Sequence, residues 1–137
     1  MTDEERNRVT HRIIGCAMKV HSVLGPGLLE SAYEACLEYE LVKSDLPVRR
    51  QLYVPVEYDG VELDCGYRID LLVAEEIVVE LKSVALLAPV HVAQVLTYLR
   101  LAGLSLGLLI NFNVAHLREG IKRVIHSPPS APSAPLR

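Results

Sequence analysis

Val9, Ile13, Ala17, Val20 and Leu24 recur at intervals of three and four, the spacing of one face of an α-helix. Thr2 followed by Glu5 makes a capping-box pattern at the head of that run, and Gly25-Pro26-Gly27 stops it, so the first helix extends to about Leu24. A second helix begins near Leu28, carries Leu29, Tyr33, Cys36, Leu37 and Leu41 on one stripe, and fades around Ser44-Asp45 before Pro47. From Val48 the period drops to two. Leu52, Val54 and Val56 alternate with Tyr53, Pro55 and Glu57, and Asp59-Gly60 supplies a two-residue hairpin turn. Pro55 cannot donate to a ladder, which places this strand at a sheet edge.

Val61 to Cys65, Tyr67 to Ala74 and Ile77 to Ser83 read as further strands, the last two almost continuously apolar and so covered on both faces. Pro89 to Ala102 is helical through Val92, Val95, Leu96 and Leu99 and ends at Gly103; Leu104 to Asn111 is a short buried strand. Val114 to Ile125 fits strand and helix alike. The predicted order is α-α-β-β-β-β-α-β, a mixed α/β domain whose central sheet is flanked by helices. Residues 1–126 form this single domain, and SPPSAPSAPLR, 127–137, has too little apolar mass to pack and is predicted to be a disordered tail rich in Pro, Ser and Ala.

Composition narrows the reading further. Half of the 137 residues are apolar, enough for one well-filled core, while aromatics are 5% with no Trp and one Phe, so that core is aliphatic. The apolar surplus could also feed a homodimer interface. A net charge of −3 gives no overall basic field, so any phosphate contact needs a local patch, for which Arg49, Arg50, Arg100, Arg118, Lys122 and Arg123 are candidates. Cys16, Cys36 and Cys65 are odd in number and far apart, without a C-x-x-C pair, and read as reduced core thiols. The first residues, MTDEERNRVTHR, contain no signal-peptide core, and the longest apolar run, Leu101 to Ile110, is about half of the roughly 20 residues a membrane span takes. A soluble, cytoplasmic protein without membrane contact is expected.

IDLLVAEEIVVELK, 69–82, interrupts two apolar strands with Asp70, Glu80 and Lys82. Residues two apart on a strand share a face, so Glu80 and Lys82 are presented together, and antiparallel pairing about Glu75-Glu76 brings Asp70 toward Glu80. Two carboxylates ~4 Å apart repel by about 4 kcal/mol at an effective dielectric of ~20, which Lys82 alone offsets in part. A divalent cation offsets more, and oxygen ligands favour magnesium or manganese over zinc. A metal-held water beside a lysine is suited to phosphodiester hydrolysis. An internal salt-bridge cluster fits the same three charges equally well.

Asp70 followed by Glu80-Leu81-Lys82 resembles the D…(D/E)-x-K signature of the PD-(D/E)XK nuclease superfamily, and GLLESAY, 27–33, resembles the G-x-x-E-x-x-Y motif of its GxxExxY family. YDGVELDCGYRIDLLV, VELKSV, HVAQVLTYLRL, LGLLINFNV and GIKRV extend the likeness over roughly residues 10–125, although Ile69 stands where the superfamily's name has proline. The resemblance implies a restriction-endonuclease-like core and a magnesium- or manganese-dependent nuclease acting on nucleic acid, most readily DNA. It implies Asp70 and Glu80 as metal ligands with the Leu81 carbonyl, Lys82 as the catalytic lysine, and Glu30 as an added helix carboxylate. Glu30 is also simply a residue that a helix N-terminus favours. Gln94 and Tyr98, four apart on one helical face, resemble the Q-x-x-x-Y motif of RecB-like nucleases that supports site and substrate. Tyr33 joins them as a substrate-side candidate, although packing is its simpler role. His91, one turn before Gln94, has phosphate contact and a structural place as its two readings; His21 and His116 have no ligand-like spacing. The competing class is a noncatalytic nucleic-acid-binding or assembly module that keeps the fold as a homodimer.

Overall fold

The computed structural model describes residues 1–127, so the predicted tail lies, apart from Ser127, outside the described residues. Helices α1 (Asp3–Leu24) and α2 (Glu30–Lys43) come first, then strands β1 (Val48–Tyr53), β2 (Val56–Tyr58), β3 (Val61–Leu63), β4 (Arg68–Val73) and β5 (Ile77–Lys82). Helix α3 (Pro89–Ala102), strand β6 (Leu106–Asn111), a 3-10 turn (Leu117–Gly120) and strand β7 (Ile121–Ile125) complete it. The expected capping box forms: the Thr2 hydroxyl accepts from the Glu5 N–H at 3.1 Å and the Glu5 carboxylate from the Thr2 N–H at 2.7 Å. No helix among the described residues is long and apolar enough to cross a membrane.

Five strands build the central sheet in the order β1-β4-β5-β6-β7. β5 and β6 are parallel, joined by the α3 crossover, and every other neighbouring pair is antiparallel. Leu71 of β4, Val79 and Leu81 of β5 and Leu108 of β6 share one face of the sheet and pack with Ile13 and Ala17 of α1 and Leu37 and Leu41 of α2. Even-numbered Leu72 and Val78 join Leu109 and Val124 under Val95 and Leu99 of α3. This two-sided burial explains the continuous hydrophobicity of β4, β5 and β6. Gly107 lets α3 lie close, since a Cβ there would stand 2.8 Å from Val95 Cγ1.

The α/β class and the central sheet agree with the sequence reading; the element list differs at several places. The single strand expected from Val48 to Glu57 is two, because Pro55 ends the β1 pairing with β4, and β2 with β3 forms a separate two-stranded hairpin. The edge position expected from Pro55 holds for β1. Helix α2 starts at Glu30 rather than Leu28, after Gly27 turns the chain at φ 99°. The segment 114–125, open between helix and strand, divides into the 3-10 turn and β7, so the order gains strands at both places. A Cβ at Gly120 would collide with the Asn111 carbonyl, which is why a small residue sits at that join. Cys65 is exposed rather than a core thiol, because it follows the solvent-facing hairpin; Cys16 and Cys36 are half-buried.

Candidate active site

The β4–β5 ladder is regular from Val73↔Ile77 through Leu71↔Val79 and then stops. Beyond it, side chains replace the backbone partners. The Glu80 carboxylate accepts from the Asp70 N–H at 3.0 Å, while the Asp70 carboxylate accepts from the Leu81 N–H at 2.9 Å. The strands thus fork, and two acidic side chains are locked across the opening. Glu80 is 3% exposed. β5 stays paired with β6 through Glu80↔Leu109 and Lys82↔Asn111, which keeps its side of the fork rigid. The Asn111 amide continues the hold by bonding both the N–H and the carbonyl of Val84, at 3.1 and 3.0 Å.

Helix α2 is fixed to the same end of the sheet by the loop before it. The Tyr33 hydroxyl donates to the Gly25 carbonyl at 2.6 Å and accepts from the Leu28 N–H at 3.1 Å, while Ser83, just past β5, donates to the Leu28 carbonyl at 2.6 Å. Glu30 follows at the head of the helix, exposed, with its charge felt at both Asp70 and Glu80. Tyr33 itself is fully buried and stacked on Phe112 with centroids 4.5 Å apart. It positions the loop and does not face the fork. From the other face of the sheet, Gln94 donates to the Tyr98 hydroxyl at 3.3 Å. Burial raises the Tyr98 pKa, and the Glu80 and Asp70 charges raise it further while the Gln94 amide opposes the rise. His91 caps its own helix, its Nδ1 accepting from the Ala88 N–H at 2.9 Å.

Burial pushes Glu80 from its ordinary 4.5 up to about 8, with the Asp70 charge adding to the rise and the Asp70 N–H and Lys82 opposing it. Burial likewise takes Asp70 from 3.8 up to about 6; the Leu81 N–H and Gln51 oppose the rise while the Glu34 and Glu30 charges add to it. Among the described residues, no ion pair includes Asp70, Glu80 or Lys82. The internal salt-bridge reading of these charges is therefore not what forms. Lys82 is half-buried and lies near Glu80 without engaging it.

Two site residues escaped the sequence reading. Glu34, one turn after Glu30, is 7% exposed, and accepts from Arg50 Nε at 2.6 Å and from the Gln51 side-chain amide at 2.8 Å. That amide also reaches Asp70 Oδ1 at 3.1 Å. A glutamate inside the Tyr33, Leu37, Leu41 stripe was the available signal for Glu34; Gln51 carried none, because its partner is set by strand register. Arg50 is thereby committed to Glu34 and leaves the candidate phosphate patch, as Arg49 does by pairing with Glu75 at 2.9 Å. Arg100, Arg118 and Lys122 are exposed, and no ion pair among the described residues includes them.

A family model for the PD-(D/E)XK nuclease superfamily matches residues 7–124, which include both strands of the fork, helices α2 and α3 and all of α1 beyond its first turn. The chain belongs to the PD-(D/E)XK nuclease superfamily. No curated protein and no solved structure matches it. Members of the superfamily are typically nucleases and generally use divalent metals, so a nuclease-like function and a restriction-endonuclease-like fold follow for this member.

The residues present fit such a metal. Two hard-oxygen donors stand side by side without an ion pair among the described residues, and burial together with their neighbouring negative charges disfavours their ionised forms, a cost that a bound cation offsets. Among the described residues no three His, Cys, Asp or Glu side chains converge as a ready-made cage. The fork is an open sheet end. A cleft of about 710 Å³ lies elsewhere, between the end of α1 and residues 115–119, and none of its lining residues belongs to this PD-(D/E)XK site.

Proposed function

We propose that this protein is a magnesium- or manganese-dependent phosphodiesterase of the GxxExxY branch, acting on nucleic acid with DNA as its expected substrate. One observation carries the reading: a carboxylate pair, the half-buried Asp70 and the buried Glu80, interlocked by backbone hydrogen bonds and joined to no cation in an ion pair among the described residues. A divalent ion held there by Asp70, Glu80 and the Leu81 carbonyl would supply charge neutralisation at the phosphate and acidify a water. Lys82, in no ion pair among the described residues, would orient that water and stabilise negative charge building on the phosphate. Glu30 would assist through water or a second metal. Gln94 and Tyr98 steer the substrate backbone, and Gly27 and Tyr33 act through the loop that places Glu30. The motif G-x-x-E-x-x-Y then has a physical sense: a turn, a carboxylate and the staple that aims it.

The test is cleavage of supercoiled plasmid and of labelled DNA and RNA oligonucleotides with magnesium or manganese, against EDTA and a Glu80→Ala variant. Cutting that needs the metal and disappears in the variant is expected. Metal-dependent cutting that persists undiminished in Glu80→Ala overturns the site. A stable dimer that binds no manganese at millimolar concentration overturns the enzyme and favours the noncatalytic assembly module.

A further inference from the structure

We propose that Gln51 is a positioning residue that fixes the Asp70 carboxylate from the neighbouring strand, with Glu34 and Arg50 as its anchor. The inference rests on the nuclease reading only in taking Asp70 as a carboxylate of the reacting site.

Among the described residues, five non-glycine positions have positive φ: Asp45, Gln51, Asp59, Ala74 and Glu75. Four of them lie in turns, where that backbone reverses the chain; Gln51, at φ 54°, lies inside a strand. A left-handed glutamine within a strand is a strained choice, one that persists only where its surroundings impose it. Its location is informative. Arg50↔Leu71 and Leu52↔Ile69 are paired on either side, and the register would put Gln51 opposite Asp70, where pairing lapses. The backbone therefore gives up its regular partnership at the one position facing the metal-site aspartate.

The side chain shows what this arrangement accomplishes. One amide nitrogen donates to Glu34 Oε1 at 2.8 Å and to Asp70 Oδ1 at 3.1 Å, while the other Asp70 oxygen accepts from the Leu81 N–H at 2.9 Å. Both oxygens of Asp70 are consequently fixed, one from β5 and one from β1, and the carboxylate plane has no free rotation. Glu34 can serve as the outer anchor because Arg50 holds its second oxygen at 2.6 Å and also reaches Glu38 at 3.3 Å. Outer hydrogen-bond partners of this kind orient metal-binding carboxylates and typically change metal affinity by 10- to 100-fold.

Two variants separate positioning from mere structure. Gln51→Gly accepts the left-handed backbone and removes the amide; Gln51→Asn accepts it and retracts the amide by one methylene. Each is expected to fold, to let the Asp70 side chain populate several rotamers by NMR couplings, and to weaken manganese binding by roughly tenfold in paramagnetic resonance titrations. Oligonucleotide cleavage should lose kcat at unchanged KM. An Asp70 rotamer that stays single in both variants overturns the proposal. Wild-type protein that binds no manganese and cuts nothing would sink the nuclease reading instead, and the rotamer measurement would still decide the role of Gln51. Should Gln51→Gly fail to fold, Gln51→Asn carries the same measurements.

Discussion

Glu34 and Glu80 are both almost fully buried near the same end of one sheet, at 7% and 3% exposure, and the chain treats them oppositely. Glu34 receives a guanidinium at 2.6 Å and an amide at 2.8 Å. Glu80 receives a backbone N–H at 3.0 Å and, beside it, a second carboxylate. A buried acid with its cation is a settled ion pair, whereas a buried acid with another acid retains a free-energy demand for positive charge. The contrast separates Glu34, whose charge is answered within the chain, from Asp70 and Glu80, which under the proposed function would take a cation from outside it.

The contrast can be broken most directly at Glu80. Glu80→Gln keeps the shape and removes the charge, and phosphodiester cleavage should fall by on the order of 10²–10³. Thermal melts at pH 8 without metal should show the variant at least as stable as the parent, since it sheds a charge that burial disfavours. A fall in melting temperature there would mean that Glu80 is scaffold after all.

Proton competition sharpens the same point. With Glu80 raised from 4.5 to about 8 and Asp70 from 3.8 to about 6, the folded chain binds more protons than the unfolded chain across those windows. Metal-free stability is therefore fully present below the ordinary values and is lost as pH rises through about 6 and then about 8. Manganese displaces those protons, so its affinity should climb by up to about tenfold per pH unit for each proton released as pH rises toward 8, measured by calorimetry. A flat affinity profile would contradict the raised values.

Smaller effects fall on the scaffold side. Arg50→Ala leaves Glu34 buried with only Gln51, and should cost about 1–3 kcal/mol in denaturant unfolding, the scale of an unsatisfied buried group. Tyr98→Phe removes the acceptor of the Gln94 amide and should cost about 0.5–1.5 kcal/mol or less, with any loss of activity appearing in KM.

Much of this was legible in linear order. Period and breakers located α1, α2, α3, β4, β5 and β6, since both signals are local. The D…E-x-K spacing pointed to the fork because a strand's two-residue period and a short turn leave few ways to arrange three charges. Pro55 was read as an edge marker, yet its larger effect was to divide one alternating run into two sheets, a choice made by which partner strands were in reach. Gly120 looked like a weak former of either helix or strand; it is where the chain passes against the Asn111 carbonyl.

What the chain order could determine was chemistry: which residues bear charge, which faces are apolar, and that an acid pair and a lysine fall toward one end of two neighbouring strands. Only tertiary structure decided which carboxylate would be neutralised. Arg50 and Gln51 reach Glu34 from a strand sixteen and seventeen positions away, through an edge pairing with β4 that no local pattern encodes. Electrostatic compensation depends on distance in space, and a sequence specifies that distance only through the completed packing of the whole fold.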